Sequence, residues 1–104
     1  MIIREWRGRT EPVRADAYVH HFRNAVEPEL RRVPGFLGAY LTRRMLGEIL
    51  EYVVITRWES MEAIQAFAGP VPERAVVEPG AVAALSSYDS TVRHYEVIEE
   101  VSKG

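Results

Sequence analysis

His94, within STVRHYEV, is the side chain of this sequence best suited to moving a proton. An imidazole titrates near neutrality, so a partly desolvated histidine can accept a proton from an acidic C–H or a phenol. On a strand it shares a face with Val92 and Ile98, whereas Arg93, Tyr95 and Val97 point the other way, so Tyr95 cannot join it on one ligand. Trp58 closes the apolar run VVITRW just before a helix start, where an indole either plugs a core corner or walls a pocket for a flat substrate. Trp6, in REWRGR, is a second aromatic with two readings, a ligand wall or a sheet and dimer contact. The candidate site is therefore His94 as general base, with Trp58 and Trp6 binding substrate.

Other chemistries find less support. The chain has no cysteine, which removes thiolate catalysis, disulfides, iron–sulfur clusters and cysteine zinc sites. His20 and His21 are adjacent, about 100° apart on a helix, and the H-x-x-x-H spacing that would let two histidines share an ion is missing. No metal and no cofactor are expected. Ser86, Ser87 and Asp89 lack the nucleophile elbow and glycine-rich oxyanion segment that a hydrolase triad with His94 would need. Arg43 and Arg44, with Arg57 nearby, read as solvated partners for Glu48, Glu51 or Glu59 rather than as an anion site.

The elements that must position these residues follow from spacing. IIREWRGR (2–9) reads as a first strand with Ile2 and Trp6 on one face and Ile3 on the other. Ala15, Val19, Phe22, Val26, Leu30 and Val33 form the apolar stripe of a helix, which Pro28 should kink or break near Asn24–Glu27. FLGAYLTRRML (36–46) and EILEYVVITRW (48–58) flank Gly47 as a hairpin. Phe36 and Tyr40 are expected on one face of its first strand, Leu37 and Leu41 on the other. Ser60 caps a second helix carrying Met61, Ile64 and Phe67, and Gly69-Pro70 ends it. Helical turns are expected at 74–77 and 81–87, and a last strand over 90–101.

That order predicts one α+β domain spanning 1–104: a ferredoxin-like split βαβ with a four-stranded antiparallel sheet. Two helices cover one face of such a sheet, yet the hairpin is apolar on both. A second copy packed sheet to sheet is the economical cover, which makes the chain a homodimer, a dimeric α/β barrel. Hydrophobic content of 47% with a net charge of −2 fits a soluble globular domain and argues against a nucleic-acid partner. EILEYVVITRW also lacks the glycine and aromatic pattern of an RNA-recognition strand. No apolar run approaches the ~20 residues of a membrane span, and no basic-then-apolar leader opens the chain. The expected location is cytoplasmic.

REWRGR, PGFLGAY, WESMEAIQAFAG and VRHYEV, in that order, resemble the antibiotic biosynthesis monooxygenase-like family of small dimeric α+β barrels. The resemblance covers nearly the whole chain, and W-E-S-x-E-A is its sharpest element. It implies one of two activities: cofactor-free oxidation of polycyclic phenols and anthrones by oxygen, or binding and degradation of haem. In the first branch the tryptophan ahead of the second helix lines the pocket, and Trp58 matches it. The branch's asparagine, Tyr-His pair and helical tyrosine are replaced here by Val54, Leu41-Thr42 and Ile64. In the haem branch an asparagine stands where this chain has Trp6, and an axial histidine follows the second helix, whereas 59–80 has none. The implied function is a cofactor-independent, monooxygenase-like activity on a small aromatic or polyketide-like molecule held between sheet and helices. The alternative is a non-catalytic dimer of the same fold that binds a small ligand or serves structurally.

Overall fold

A computed structural model describes residues 1–104. Its strands are β1 (Ile2–Thr10), β2 (Phe36–Leu46), β3 (Ile49–Trp58), β4 (Ser87–Tyr88) and β5 (Arg93–Glu96). Helices α1 (Ala15–His21) and α2 (Glu27–Arg31) are joined by a π-helical stretch (Phe22–Val26); α3 (Met61–Ala68) and α4 (Pro79–Ala84) follow β3. All pairings are antiparallel, in the order β2-β3-β1, with β4 and β5 sharing the other edge of β1. This is the split βαβ frame of an α+β, ferredoxin-like fold.

Local sequence explains each turn in the path. Pro28 has no N–H to give, but the helix does not break near Asn24–Glu27. The chain widens into the π stretch instead, and Pro28 falls in the first turn of α2, where no donor is needed. Leu46 pairs with Ile49, so Gly47-Glu48 is a two-residue turn; positive φ occurs only at Gly47 (64°), as a type II′ turn demands. Ser60 caps α3 by accepting from the Ala63 N–H at 3.2 Å. Gly35 sits at φ 90°, and a Cβ there would lie 2.6 Å from that of Ala63, so the Pro34-Gly35 corner admits no side chain.

Three expectations need correction. A register shift between Phe36 and Gly38 turns the first residues of β2 over. Phe36 therefore packs inward, 5.3 Å from the Trp58 ring, while Tyr40 lies on the opposite face. Residues 74–77 are not helical: Arg74 bridges Thr91 and the Ala75 N–H donates to the Ser90 carbonyl, so this segment is spent on pairing. The last strand is also shorter than 90–101. Val92 donates to Glu73 rather than to β1, and past the Ile2–Glu96 pair only the Val97 N–H still finds a partner, the Met1 carbonyl at 2.9 Å.

The helices cover the face bearing Tyr52, Val54 and Trp58, as the alternation predicts. The core falls into two clusters, one around Tyr18, Phe22, Tyr52 and Leu85, the other around Leu30, Trp58 and Ile64. The uncovered face is mixed. Tyr40, Val53, Ile55, Ile3 and Tyr95 supply apolar surface, with Tyr40 59% and Tyr95 46% exposed. Around them Glu51 accepts from Arg44 at 2.9 Å and from Arg7 at 3.1 Å, with Arg9 at 3.6 Å. Burial alone would push the Glu51 carboxyl up, but Arg44 and Arg7 overcome it and hold it below the usual carboxylate range. Arg44 thus takes one of its expected partners. No helix is long and apolar enough to cross a membrane.

Candidate functional site

Between the sheet and the helices lies a chamber with an inner volume of about 60 Å³, widening to about 570 Å³ when its open mouth is included. Nine of its thirteen lining residues are hydrophobic, so it favours an apolar body. Trp6 on β1 and Tyr18 on α1 form one wall, with ring centroids 5.9 Å apart. The Trp6 indole N–H donates to the Asp89 carbonyl at 2.8 Å, which fixes the ring and leaves its face to the chamber. Phe67 of α3 borders the opposite part.

Arg4 lies on the inward row of β1 between Ile2 and Trp6 and is only 4% exposed. Its Nη1 donates to the Pro72 carbonyl at 2.5 Å and its Nη2 to the Arg74 carbonyl at 2.9 Å, tying segment 69–78 to the sheet. Its Cζ stands 5.9 Å from the centre of the Phe67 ring. Burial lowers the guanidinium to about 10, opposed by the charge of Glu73, so it stays protonated at neutral pH.

His94 lies on the inward side of β5, and its Nε2 is 3.1 Å from Arg4 Nη1, whereas Ile98 lies beyond the strand and is 87% exposed. A guanidinium only donates, so Nε2 accepts and the ring is neutral with its proton on Nδ1. Burial, and then the Arg4 charge, hold the imidazole below its ordinary 6.5. A group so depressed contributes stability that is present above 6.5 and lost as the pH falls through its folded value. Chemical denaturation at about pH 7.5 and about pH 5.5 is therefore expected to show wild type weakening more than His94→Gln, whose amide oxygen still accepts from Arg4. Equal losses in the two proteins would remove His94 from this role.

The candidate residues are thus only partly brought together. Trp6 lines the chamber and His94 touches it through Arg4. Trp58 stands behind the wall, fully buried: its Nε1 donates to Thr56 Oγ1 at 2.8 Å, and its ring lies 5.5 Å from Phe67. Thr56 and Phe67 do reach the cavity. His21, whose spacing from other histidines rules out a shared metal ion, lines the same space, and its Nε2 is buried without a partner. Its ring is packed so closely on Gly80 that a Cβ there would fall 2.5 Å from Nδ1. Arg4 carried a legible signal, a lone charge in the inward row Ile2–Arg4–Trp6, whereas His21 required the helix to be docked. No group of three or more histidines or carboxylates is placed to hold a metal ion.

An antiparallel sheet with helices on one face and a chamber between the two layers defines the class of the protein. The profile of the antibiotic biosynthesis monooxygenase family matches residues 1–70, and the chain belongs to that family. Among solved structures it is similar to a putative antibiotic biosynthesis monooxygenase from Bacillus cereus, at 18% identity and a TM-score of 0.67 over 97% of this chain and 96% of that one. It is also similar to the heme-degrader MhuD from Mycobacterium tuberculosis, at 25% identity and a TM-score of 0.63, covering 98% of this chain and 100% of that one. A variant of SnoaB, a cofactor-independent oxygenase from Streptomyces nogalater, aligns at 21% identity and a TM-score of 0.64, covering 98% and 97%. These matches give the fold of the dimeric α+β barrels. No curated protein gives a significant sequence match.

Proposed function

We propose that the chain is a cytoplasmic, homodimeric, cofactor-independent oxygenase acting on a small aromatic or polyketide-like molecule. The observation that carries this reading is an aromatic-walled chamber that converges on one buried polar pair, Arg4 and His94. In such a reaction an activated ring CH₂ and O₂ become C=O and H₂O, and the first step is loss of a proton to a base. His94 is kept neutral by its surroundings and so has a lone pair to accept that proton once the substrate displaces Arg4 Nη1 from it. Trp6 stacks on the ring, and Trp58 holds the wall from behind through Thr56 and Phe67.

Size decides what can bind. About 60 Å³ of inner space is less than the roughly 150 Å³ that admits benzene, so a ring enters by displacing segment 69–78, which carries Val76 and Glu78 and has no regular structure. Haem is disfavoured because residues 59–80, where the haem-degrading branch carries its axial ligand, contain no histidine. The largely hydrophobic lining also favours a second reading, a binding protein with no chemistry.

Oxygen uptake with a panel of anthrones separates the two. Turnover above the uncatalysed rate is expected for at least one compound, with kcat reduced about 100-fold or more in His94→Gln and a raised KM in Trp6→Ala. No uptake with any compound leaves the binding protein, and uptake undiminished in His94→Gln removes the base.

A further inference from the structure

We infer that the guanidinium of Arg4 is the seat of an anionic group, so that the chamber takes aromatic carboxylates or enolates in preference to neutral rings. This deepens the oxygenase reading and rests on the same chamber, but it concerns binding and holds for a non-catalytic protein too. A guanidinium has five N–H donors. Three are used, by Pro72 O, His94 Nε2 and Arg74 O, which leaves the Nε–H and one Nη2 N–H without a partner in the chain. The side chain borders the empty space while 96% of its surface is covered.

Arg4 forms no ion pair, although Arg7, Arg9, Arg31 and Arg44 all do. A buried cation supported by two carbonyls, an imidazole and the Phe67 ring, with no counter-ion, keeps its full charge in a medium of low dielectric. The one carboxylate that acts on it is Glu73, which is exposed and forms no ion pair with it. The chamber's own carboxylate, Glu78, lies elsewhere on the wall. Its charge adds to the upward push that burial and then Tyr52 give the Tyr18 hydroxyl. The cavity is therefore polarised, positive at Arg4 and negative beside Tyr18. A ligand carboxylate can bridge the two free donors side by side, the geometry in which arginine binds carboxylates best. His94 accepts from the same guanidinium and keeps it turned toward the space, which makes it a positioning residue for this site.

Benzoate and its neutral isostere benzamide test the inference on the intact protein by calorimetry. Wild type is expected to bind benzoate about tenfold or more tightly than benzamide. Arg4→Gln is expected to abolish that preference, while Arg9→Gln on the outer face keeps it. A wild-type protein that binds both compounds equally, or benzamide better, overturns the inference. Because Arg4→Gln can loosen the fold, the side-chain Nε–H resonance of Arg4 is followed by NMR in wild type as well. A shift of that resonance with benzoate and none with benzamide supports the seat, and no shift with benzoate overturns it. Benzoate preference without oxygen uptake ends the oxygenase reading and keeps this one; uptake on a neutral anthrone with no carboxylate preference does the reverse.

Discussion

Trp58→Ala is expected to lower the unfolding free energy by about 3–5 kcal/mol, enough to leave a domain of this size barely folded at 37 °C. The indole is fully buried, stands edge-on to Phe36 at 5.3 Å and lies beside Phe67 at 5.5 Å, so its removal opens a cavity walled by strand, hairpin start and helix together. It also removes the indole donor from the Thr56 hydroxyl, which is left with only its long bond to the Arg4 carbonyl. Trp58→Phe refills most of the volume and is expected to lose less than the alanine variant. Urea denaturation of the three proteins measures both effects. A loss below about 1 kcal/mol in the alanine variant would show that Trp58 does not hold the corner between β3 and α3.

Replacing Tyr40 with Glu and Ile55 with Lys together is expected to turn a dimer into a monomer. The two side chains oppose one another across β2 and β3 on the face that no helix covers, next to Val53. Sheet-to-sheet packing of two copies would bury them, and a stable pairing needs about 800 Å² from each partner. The new Glu and Lys can pair only with each other, and stripping water from four charges in that layer costs more than such pairing returns. Sedimentation equilibrium should give twice the chain mass of 11.9 kDa for wild type and the single mass for the variant. A monomeric wild type at micromolar concentration would end the homodimer proposal. The charged cluster around Glu51 shares the face, so the dimer is also expected to weaken with added salt.

Periodicity carried most of the frame. The alternation in EYVVITRW put Tyr52, Val54 and Trp58 on one face, and Ser60 and Gly47 marked a cap and a turn where the chain has them. What escaped depended on partners distant in sequence. Nothing local to 36–38 announces that the strand turns over there, because the shift serves the packing of Phe36 on Trp58. Residues 74–77 have a helical composition but are claimed by 90–92, and β5 stops where β1 runs out. The same holds for the chamber. His94 stood out because histidine titrates, and Trp6 because it is large, but the burial of Arg4 depends on carbonyls about seventy residues away.

The π-helical stretch has a consequence for the register of the whole first helical arm. Tyr18, Phe22, Val26 and Leu30 recur every four residues, and on a regular α-helix each such step overshoots a full turn by about 40°. Without correction, Leu30 would have rotated about a third of a turn from Tyr18. The wider winding at Phe22–Val26 advances fewer degrees per residue and takes up that overshoot, so all four reach the interior. The surplus residue acts as a phase adjuster. Losing one residue there would close the arm into a regular α-helix with Leu30 still over the indole, about 20° out of line with Tyr18.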